Sequence, residues 1–195
     1  MLLCRCFERF ASAIRPYRPR PYWPGCSTFL ASQATSVQQK CCMMTRMIPR
    51  FTDEGLLPPG AHETDLEELE QKMGWSRKRR GLLEGLEEAL EMMASSGVAR
   101  AYLDGSFVAD KDRPNDIDGC YDLAEDVSAE DLVRLAPIFP PSALNRAEAK
   151  RRFGVDFFPA AATELGSGQP FLRFFQTDRE GRERGVLLVE LREKR

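Results

Sequence analysis

Hydrophobic residues recur at intervals of three and four in three segments of the chain, and this spacing predicts helices. The predicted helices cover residues 65–73, 76–96 and 128–139, and a Ser, Thr or Asp beside each first turn can cap it. Residues 48–60 are rich in Pro and Gly, so no regular element is expected there. Residues 145–152 are polar and are predicted to be exposed.

Five other segments have the short apolar runs that are typical of strands. They are residues 98–104, 116–123, 153–158, 171–177 and 185–191. The last two are predicted to form a hairpin, because a polar segment that contains a glycine joins them. Alternation of helices and strands predicts an α/β or α+β fold, in which helices pack on a mixed β-sheet.

Charge divides the chain into two parts. The 195 residues include 28 basic and 30 acidic side chains, with a formal net charge of −2. Seven basic residues and one acidic residue lie in residues 1–46, so residues 47–195 are acidic overall. These counts exclude a polybasic nucleic-acid coat, and no stretch reaches the roughly 18 to 20 apolar residues of a membrane span. We predict a basic extension over 1–46 and one globular domain over 47–195.

The basic extension has the composition of an organellar transit peptide, being rich in Arg and poor in acidic residues. Four prolines between positions 16 and 24 would interrupt an amphipathic helix. We interpret residues 1–46 as disordered, with Met43, Met44 or Met47 as the natural start. Transit into an organelle is the alternative.

Cysteine usage favours a reducing compartment. Five of the six cysteines lie in the basic extension, which leaves Cys120 alone in the acidic domain. One cysteine cannot form a disulfide within a domain, so the domain is suited to the cytoplasm.

A basic run lies at the start of the second predicted helix. Residues 77–80 are Arg-Lys-Arg-Arg, and we interpret them as a solvated helix face. Trp75, just before this run, is expected to lie in the core.

Two aspartates follow a Gly-Ser pair at the junction of two predicted strands. The first strand ends at Gly105-Ser106, and after a polar segment the chain returns with Asp116-Ile117-Asp118. Side chains alternate along a strand, so Asp116 and Asp118 share a face with Cα atoms about 6.6 Å apart, while Ile117 enters the core. Two such carboxylates repel each other, and Mg²⁺ or Mn²⁺ would relieve that repulsion.

Other residues near this pair suit phosphate chemistry. Gly105 lets the backbone approach a ligand, and Ser106 offers a hydroxyl and an amide to a phosphate oxygen. Asp156 lies in an apolar strand, where a buried unpaired charge would cost several kcal/mol, so it should meet a cation or be protonated. Lys111 and Arg113 are candidates for neutralising phosphate charge. Three acids beside such a turn suit a two-metal phosphoryl-transfer site.

These motifs resemble a known superfamily. A Gly-Ser pair, a spacer of about ten residues, Asp-x-Asp and a third acid on a later strand resemble the signature of the polymerase-β-type nucleotidyltransferases. Over about residues 48–191 the chain is also similar to a family of small bacterial nucleotidyltransferase-like proteins. That similarity includes Leu-Asp-Gly-Ser-Phe-Val at 103–108 and Arg-Phe-Gly-Val-Asp-Phe-Phe-Pro at 152–159.

The resemblance implies a minimal nucleotidyltransferase fold that uses Mg²⁺ or Mn²⁺ and a nucleoside triphosphate. Asp116 and Asp118 would bind the metal and the triphosphate. Asp156 would complete the second metal position and activate an acceptor hydroxyl. Gly105 and Ser106 would hold the β- and γ-phosphates.

The expected function is therefore metal-dependent transfer of a nucleotidyl group to a hydroxyl of a protein or a small molecule. About 150 residues leave little room for domains that hold a template, although an RNA end stays open as an acceptor. One alternative is an inactive nucleotidyltransferase-fold module that acts by binding a partner or a nucleotide, for example in a pair of the toxin-antitoxin type. Another is a metal-dependent phosphohydrolase that uses the same acids.

Overall fold

A computed structural model describes residues 47–136, 143–178 and 180–191. The predicted disorder of residues 1–46 and the end of the helix predicted over 128–139 lie outside the described residues. Within the described ranges, no helix has both the length and the apolar character needed to cross a membrane.

The predicted mixed sheet is confirmed, and it has five strands in the described residues. They are β1 (Gly60–Thr64), β2 (Val98–Asp104), β3 (Ile117–Leu123), β4 (Val155–Pro159) and β5 (Gly185–Glu190). Their order across the sheet is β1-β5-β2-β3-β4. The two outer pairs, β1 with β5 and β3 with β4, are parallel, and the two inner pairs are antiparallel.

Five helices accompany the sheet in the described residues, and a 3-10 turn over Gly105–Val108 follows β2 directly. The helices are α1 (Leu66–Met73), α2 (Arg77–Ser95), α3 (Ala129–Leu135), α4 (Ala143–Phe153) and α5 (Phe171–Phe175). The predicted caps of the first three are present, because Asp65, Ser76 and Ser128 each accept a hydrogen bond from a first-turn amide.

Two local predictions were wrong or incomplete. Residues 171–177 do not form a strand, since Phe171–Phe175 is a short helix. Of the predicted hairpin, only an isolated antiparallel bridge between Thr177 and Glu183 is present. β5 instead lies between β2 and β1, a strand that the periodicity did not indicate. The polar segment 145–152 belongs to helix α4, which buries Ala149 and Phe153.

The two sides of the sheet have different roles. On one side, α1 and α2 bury an apolar core against strand residues such as Leu103 and Ile117. Gly85 of α2 lets this helix lie against the end of α4, because a Cβ at that position would come 2.2 Å from the carbonyl oxygen of Phe153. On the other side, a smaller apolar cluster around Cys120 and α5 covers only part of the sheet. The polar remainder of that side contains the candidate site.

Candidate functional site

Three aspartates lie side by side on neighbouring strands. Asp104, the last residue of β2, is the register partner of Asp118 on β3, and Asp118 is the register partner of Asp156 on β4. Register partners project to the same side of a sheet, so these residues form a row, which we call the aspartate row. Asp116 precedes β3 by one residue and lies beside the row. The structure therefore brings the three predicted acids together and adds Asp104.

Gly105 joins the Gly-Ser turn, residues 105–108, to the aspartate row. Its φ of +76° lies in the left-handed region that favours glycine. A Cβ at this position would come 2.2 Å from Asp118 Oδ2. The neighbouring Ser106 is half-buried, and its hydroxyl makes no hydrogen bond to a described residue. The turn therefore lies against Asp118 at Gly105, a position that only glycine can occupy.

Two basic side chains from α4 bind the acids. Arg146 donates to both carboxylate oxygens of Asp156. Its single Nε–H is shared between Oδ1 and Oδ2 at 2.8 Å, and its Nη2 donates to Oδ2 at 2.5 Å. Lys150 Nζ lies 2.5 Å from Asp116 Oδ2 and 3.0 Å from Asp156 Oδ2, so one ammonium bridges two carboxylates. The sequence predicted that Asp156 would meet a cation or be protonated. The structure shows the first of these, because Asp156 is 1% exposed and is paired with both side chains.

Burial and crowding raise the pKa of two acids in the row. Burial, followed by repulsion from Asp116 and Asp156, raises the pKa of Asp118 to about 6, with Lys150 acting in the opposite direction. Burial also raises the pKa of Asp104 to about 7. The fold therefore keeps Asp104 and Asp118 where their negative charges are unfavourable, which is typical of functional sites.

Arg184, just before β5, is the cation that lowers the pKa of Asp104 and so counteracts the effect of burial on that pKa. Its Nη2 lies 2.7 Å from Asp104 Oδ1, although not in hydrogen-bonding geometry, and it donates a 3.3 Å hydrogen bond to the carbonyl oxygen of Gly105. Arg184 therefore ties the end of β2 and the start of the Gly-Ser turn to β5.

Arg79 supports the turn from the opposite side of the sheet. This residue is fully buried, and its guanidinium donates to the carbonyl oxygens of Phe107 and Ala109 at 2.6 to 2.9 Å. It also lies 3.6 Å from the ring centroid of Trp75. Burial lowers the pKa of Arg79 to about 10. The predicted solvated face is therefore wrong for Arg79, and Trp75 is 40% exposed instead of lying in the core.

The two basic residues predicted to bind nucleotide lie outside this cluster. Lys111 and Arg113 are exposed on the segment between the turn and β3, and neither makes an ion pair with a described residue. Arg113 lines a cleft of about 630 Å³ together with Ser76, Arg77 and Lys78. The cations closest to the acids are instead those of α4 and Arg184.

The acids suit a divalent cation by their chemistry. Carboxylate oxygens are the ligands that Mg²⁺ and Mn²⁺ prefer, and burial together with repulsion from Asp116 and Asp156 raises the pKa of Asp118. Among the described residues, however, no three His, Cys, Asp or Glu side chains are arranged around a common metal position. Lys150 takes the place between Asp116 and Asp156 instead. The donor set fits a metal, and its present arrangement fits an ammonium.

Comparison with known proteins gives a family. A family model described as "Family of unknown function (DUF6932)" matches residues 49–190, and the chain belongs to that family. No curated protein and no solved structure matches the chain.

Sequence reasoning missed four residues of this site. Arg146 and Lys150 are spaced by four on a polar segment, and this spacing would have placed both on one helix face had the helix been recognised. Asp104 precedes the Gly-Ser pair directly, but the local pattern indicates only the end of an apolar strand. Nothing local marks Arg184, since its contact with Asp104 joins residues far apart in sequence.

Proposed function

We propose that the aspartate row and Asp116 form a nucleotidyl-transfer site that takes a nucleoside triphosphate with Mg²⁺ or Mn²⁺. The observation that supports this proposal is the register match of Asp118 with Asp156, next to a turn in which Gly105 lies against Asp118. A set of carboxylates next to a turn that contains a serine hydroxyl suits a ligand that combines divalent cations with phosphate.

Each residue of the proposed site has its own role in the reaction. Asp116, Asp118 and Asp156 would hold the cations, which supply positive charge to the α-phosphate and to the departing pyrophosphate. Gly105 and Ser106 would hold the phosphates, with the Ser106 hydroxyl as a donor. Asp156 would orient the acceptor hydroxyl whose oxygen attacks the α-phosphorus. Arg79 and Arg184 keep the turn at a fixed distance from the row.

The acceptor that we favour is a hydroxyl of a protein or a small molecule. The described residues form a single sheet with five helices, and a compact unit of this kind suits an acceptor smaller than a nucleic-acid template. Its lone cysteine, Cys120, is fully buried, and burial raises the pKa of its thiol, so it is not a nucleophile. A cytoplasmic setting agrees with a domain that contains this one cysteine.

A second function is favoured by the ion pairs of α4. Arg146 and Lys150 already satisfy Asp156 and Asp116, so the acids can persist without a metal. In that case the protein is a nucleotidyltransferase-fold interaction module, for example one member of a toxin-antitoxin-like pair. This candidate predicts partner binding without any turnover.

Incubation with α-labelled ATP and Mg²⁺ or Mn²⁺, in the presence of cell lysate, tests the first function. We expect label on a protein or a small molecule, and a loss of at least about 100-fold in Asp118→Asn, because the cations lose a ligand that acts in the transition state. Asp122→Asn is the matched control, since Asp122 lies on the same strand outside the row and bonds Tyr102.

The products distinguish the candidates. Release of pyrophosphate with transfer of label supports nucleotidyl transfer, whereas release of inorganic phosphate alone would indicate a phosphohydrolase. Absence of both, together with no nucleotide binding in a calorimetric titration, would leave the interaction module.

A further inference from the structure

We propose that Lys150 and Arg146 exchange partners when the site is loaded, pairing with the carboxylates in the empty site and with the triphosphate in the loaded one. This inference rests on the proposed function and assigns two triphosphate-binding residues that the sequence motifs do not include.

The position of the Lys150 ammonium is the first argument. Nζ contacts Asp116 at 2.5 Å and Asp156 at 3.0 Å, so it occupies the space between two acids that would ligate a divalent cation. Two cations cannot share that space, because like charges in contact repel strongly in a partly buried site. Binding of a divalent cation there therefore requires the ammonium to leave.

Both basic side chains can leave without unfolding the domain. The Lys150 side chain is 35% exposed and the Arg146 side chain is 47% exposed, whereas Asp156 is 1% exposed. The buried partner is thus fixed by the sheet, whereas Lys150 and Arg146 reach it from solvent on long side chains. Rotation about their side-chain bonds is enough to move either head group.

Charge balance gives the displaced groups a new partner. The four acids face three cations, which are Arg146, Lys150 and Arg184. Two divalent cations offset roughly the four negative charges of a triphosphate, so loading brings both signs of charge in equal amount. The divalent cations then bind the carboxylates, and the phosphate oxygens accept hydrogen bonds from Lys150 and Arg146. Lysine and arginine head groups both bind phosphate well.

This exchange predicts effects of opposite sign in one variant. In Lys150→Met, Mn²⁺ alone should bind about tenfold more tightly than in the wild type, because no ammonium competes for the carboxylates. The complex of Mn²⁺ with a non-hydrolysable ATP analogue should bind about tenfold more weakly, because one phosphate contact is missing. A residue that only stabilises the fold would not shift the two affinities in opposite directions.

Arg151→Met is the matched control. Arg151 lies next to Lys150 on α4 and pairs with exposed Glu148. Its substitution removes the same charge from the same helix and leaves the contacts of the aspartate row and Asp116 in place. Both affinities in Arg151→Met should stay within twofold of the wild type. Lys150→Gln repeats the test with a polar side chain should the methionine variant fail to fold, as judged by its thermal unfolding.

Isothermal titration with Mn²⁺, with and without the ATP analogue, provides the measurement on the full chain. Unchanged or weakened binding of Mn²⁺ to Lys150→Met overturns the inference. Unchanged or tighter binding of the complex of Mn²⁺ with the ATP analogue also overturns it. So does the absence of Mn²⁺ binding to both the wild type and the variant. The titrations need no turnover, so they separate the two proposals. The wild type can transfer label while the two affinities of Lys150→Met do not shift in opposite directions. That result would support the proposed nucleotidyl transfer and reject the exchange of partners.

Discussion

Gly105 and Asp118 approach each other so closely that no larger residue fits at the first position. A Cβ on Gly105 would come 2.2 Å from Asp118 Oδ2 and 3.0 Å from Asp118 Cβ. The contact joins the end of β2 to the start of β3, which are themselves register neighbours. The Gly-Ser pair and the Asp-x-Asp pair of the sequence are therefore one packed unit.

Replacement of Gly105 by alanine should destabilise the protein by about 2 to 5 kcal/mol, since the left-handed backbone costs about 1 to 2 kcal/mol and the clash adds about 1 to 3. Gly181→Ala is the control, because Gly181 has a φ of +80° and nothing within 4 Å of the added Cβ. That variant should lose only the backbone part. Urea unfolding measures both, and equal losses would contradict the proposed clash with Asp118.

Substitution of Arg79 by methionine should remove about 2 to 4 kcal/mol of stability. The buried carbonyl oxygen of Phe107 loses its donor, and the half-buried carbonyl oxygen of Ala109 keeps only the amide of Lys111. Arg77→Met, on the same helix but exposed, should change the free energy of unfolding by less than about 0.5 kcal/mol. Denaturant melts of the two variants test this. Similar values for both would mean that Arg79 does not support the turn.

Asp118→Asn should stabilise the protein relative to the wild type, and more so at higher pH. The folded pKa of about 6 lies above the ordinary 3.8, so the wild type loses stability as the pH rises through that interval. Asparagine has no such loss. The variant should exceed the wild type by about 2 kcal/mol more at pH 8 than at pH 4. Urea midpoints at the two pH values provide the check, and a difference independent of pH would refute it.

Loss of Arg184 should be more harmful at pH 8 than at pH 5. Arg184 is the cation that offsets burial of Asp104, whose pKa is nevertheless raised to about 7. In Arg184→Met the carboxyl group of Asp104 can still be protonated at pH 5, where it has no charge to pair. At pH 8 the charge is buried without its partner, with an expected cost of about 2 to 4 kcal/mol.

Thermal unfolding of Arg184→Met and wild type across this pH range measures the effect. Arg173→Met is a suitable comparison, because Arg173 pairs with Glu183 at an exposed position. A loss in Arg184→Met that is as large at pH 5 as at pH 8 would show that its contact with Gly105, and not with Asp104, is the important one.

Local sequence determined the elements whose signals lie within a few residues. Asp65, Ser76 and Ser128 cap the helices that the apolar spacing indicated, and β2 has the predicted bounds. Ile117 is fully buried between Asp116 and Asp118, as strand alternation requires. A cap or an alternating pattern acts between near neighbours, and therefore it can be recognised without the fold.

Aromatic residues show where local sequence was insufficient. The run at Phe171 suits a strand or a helix, and tertiary packing selected the helix, with Phe171 stacked on Phe158 of β4 at 4.1 Å between ring centroids. β5 has neighbours on both sides, β1 and β2, so it leaves no sheet position for a hairpin partner.

The sequence by itself established the mixed α/β class, the divided charge of the chain, and three acids and a Gly-Ser pair at suggestive spacing. Only the tertiary structure decided that Asp104 joins Asp118 and Asp156 in one row, and that Lys150 bridges Asp116 and Asp156. The physical reason is distance along the chain. Strand register and ion pairs between remote residues depend on how the whole sheet closes, whereas periodicity and capping depend on adjacent turns.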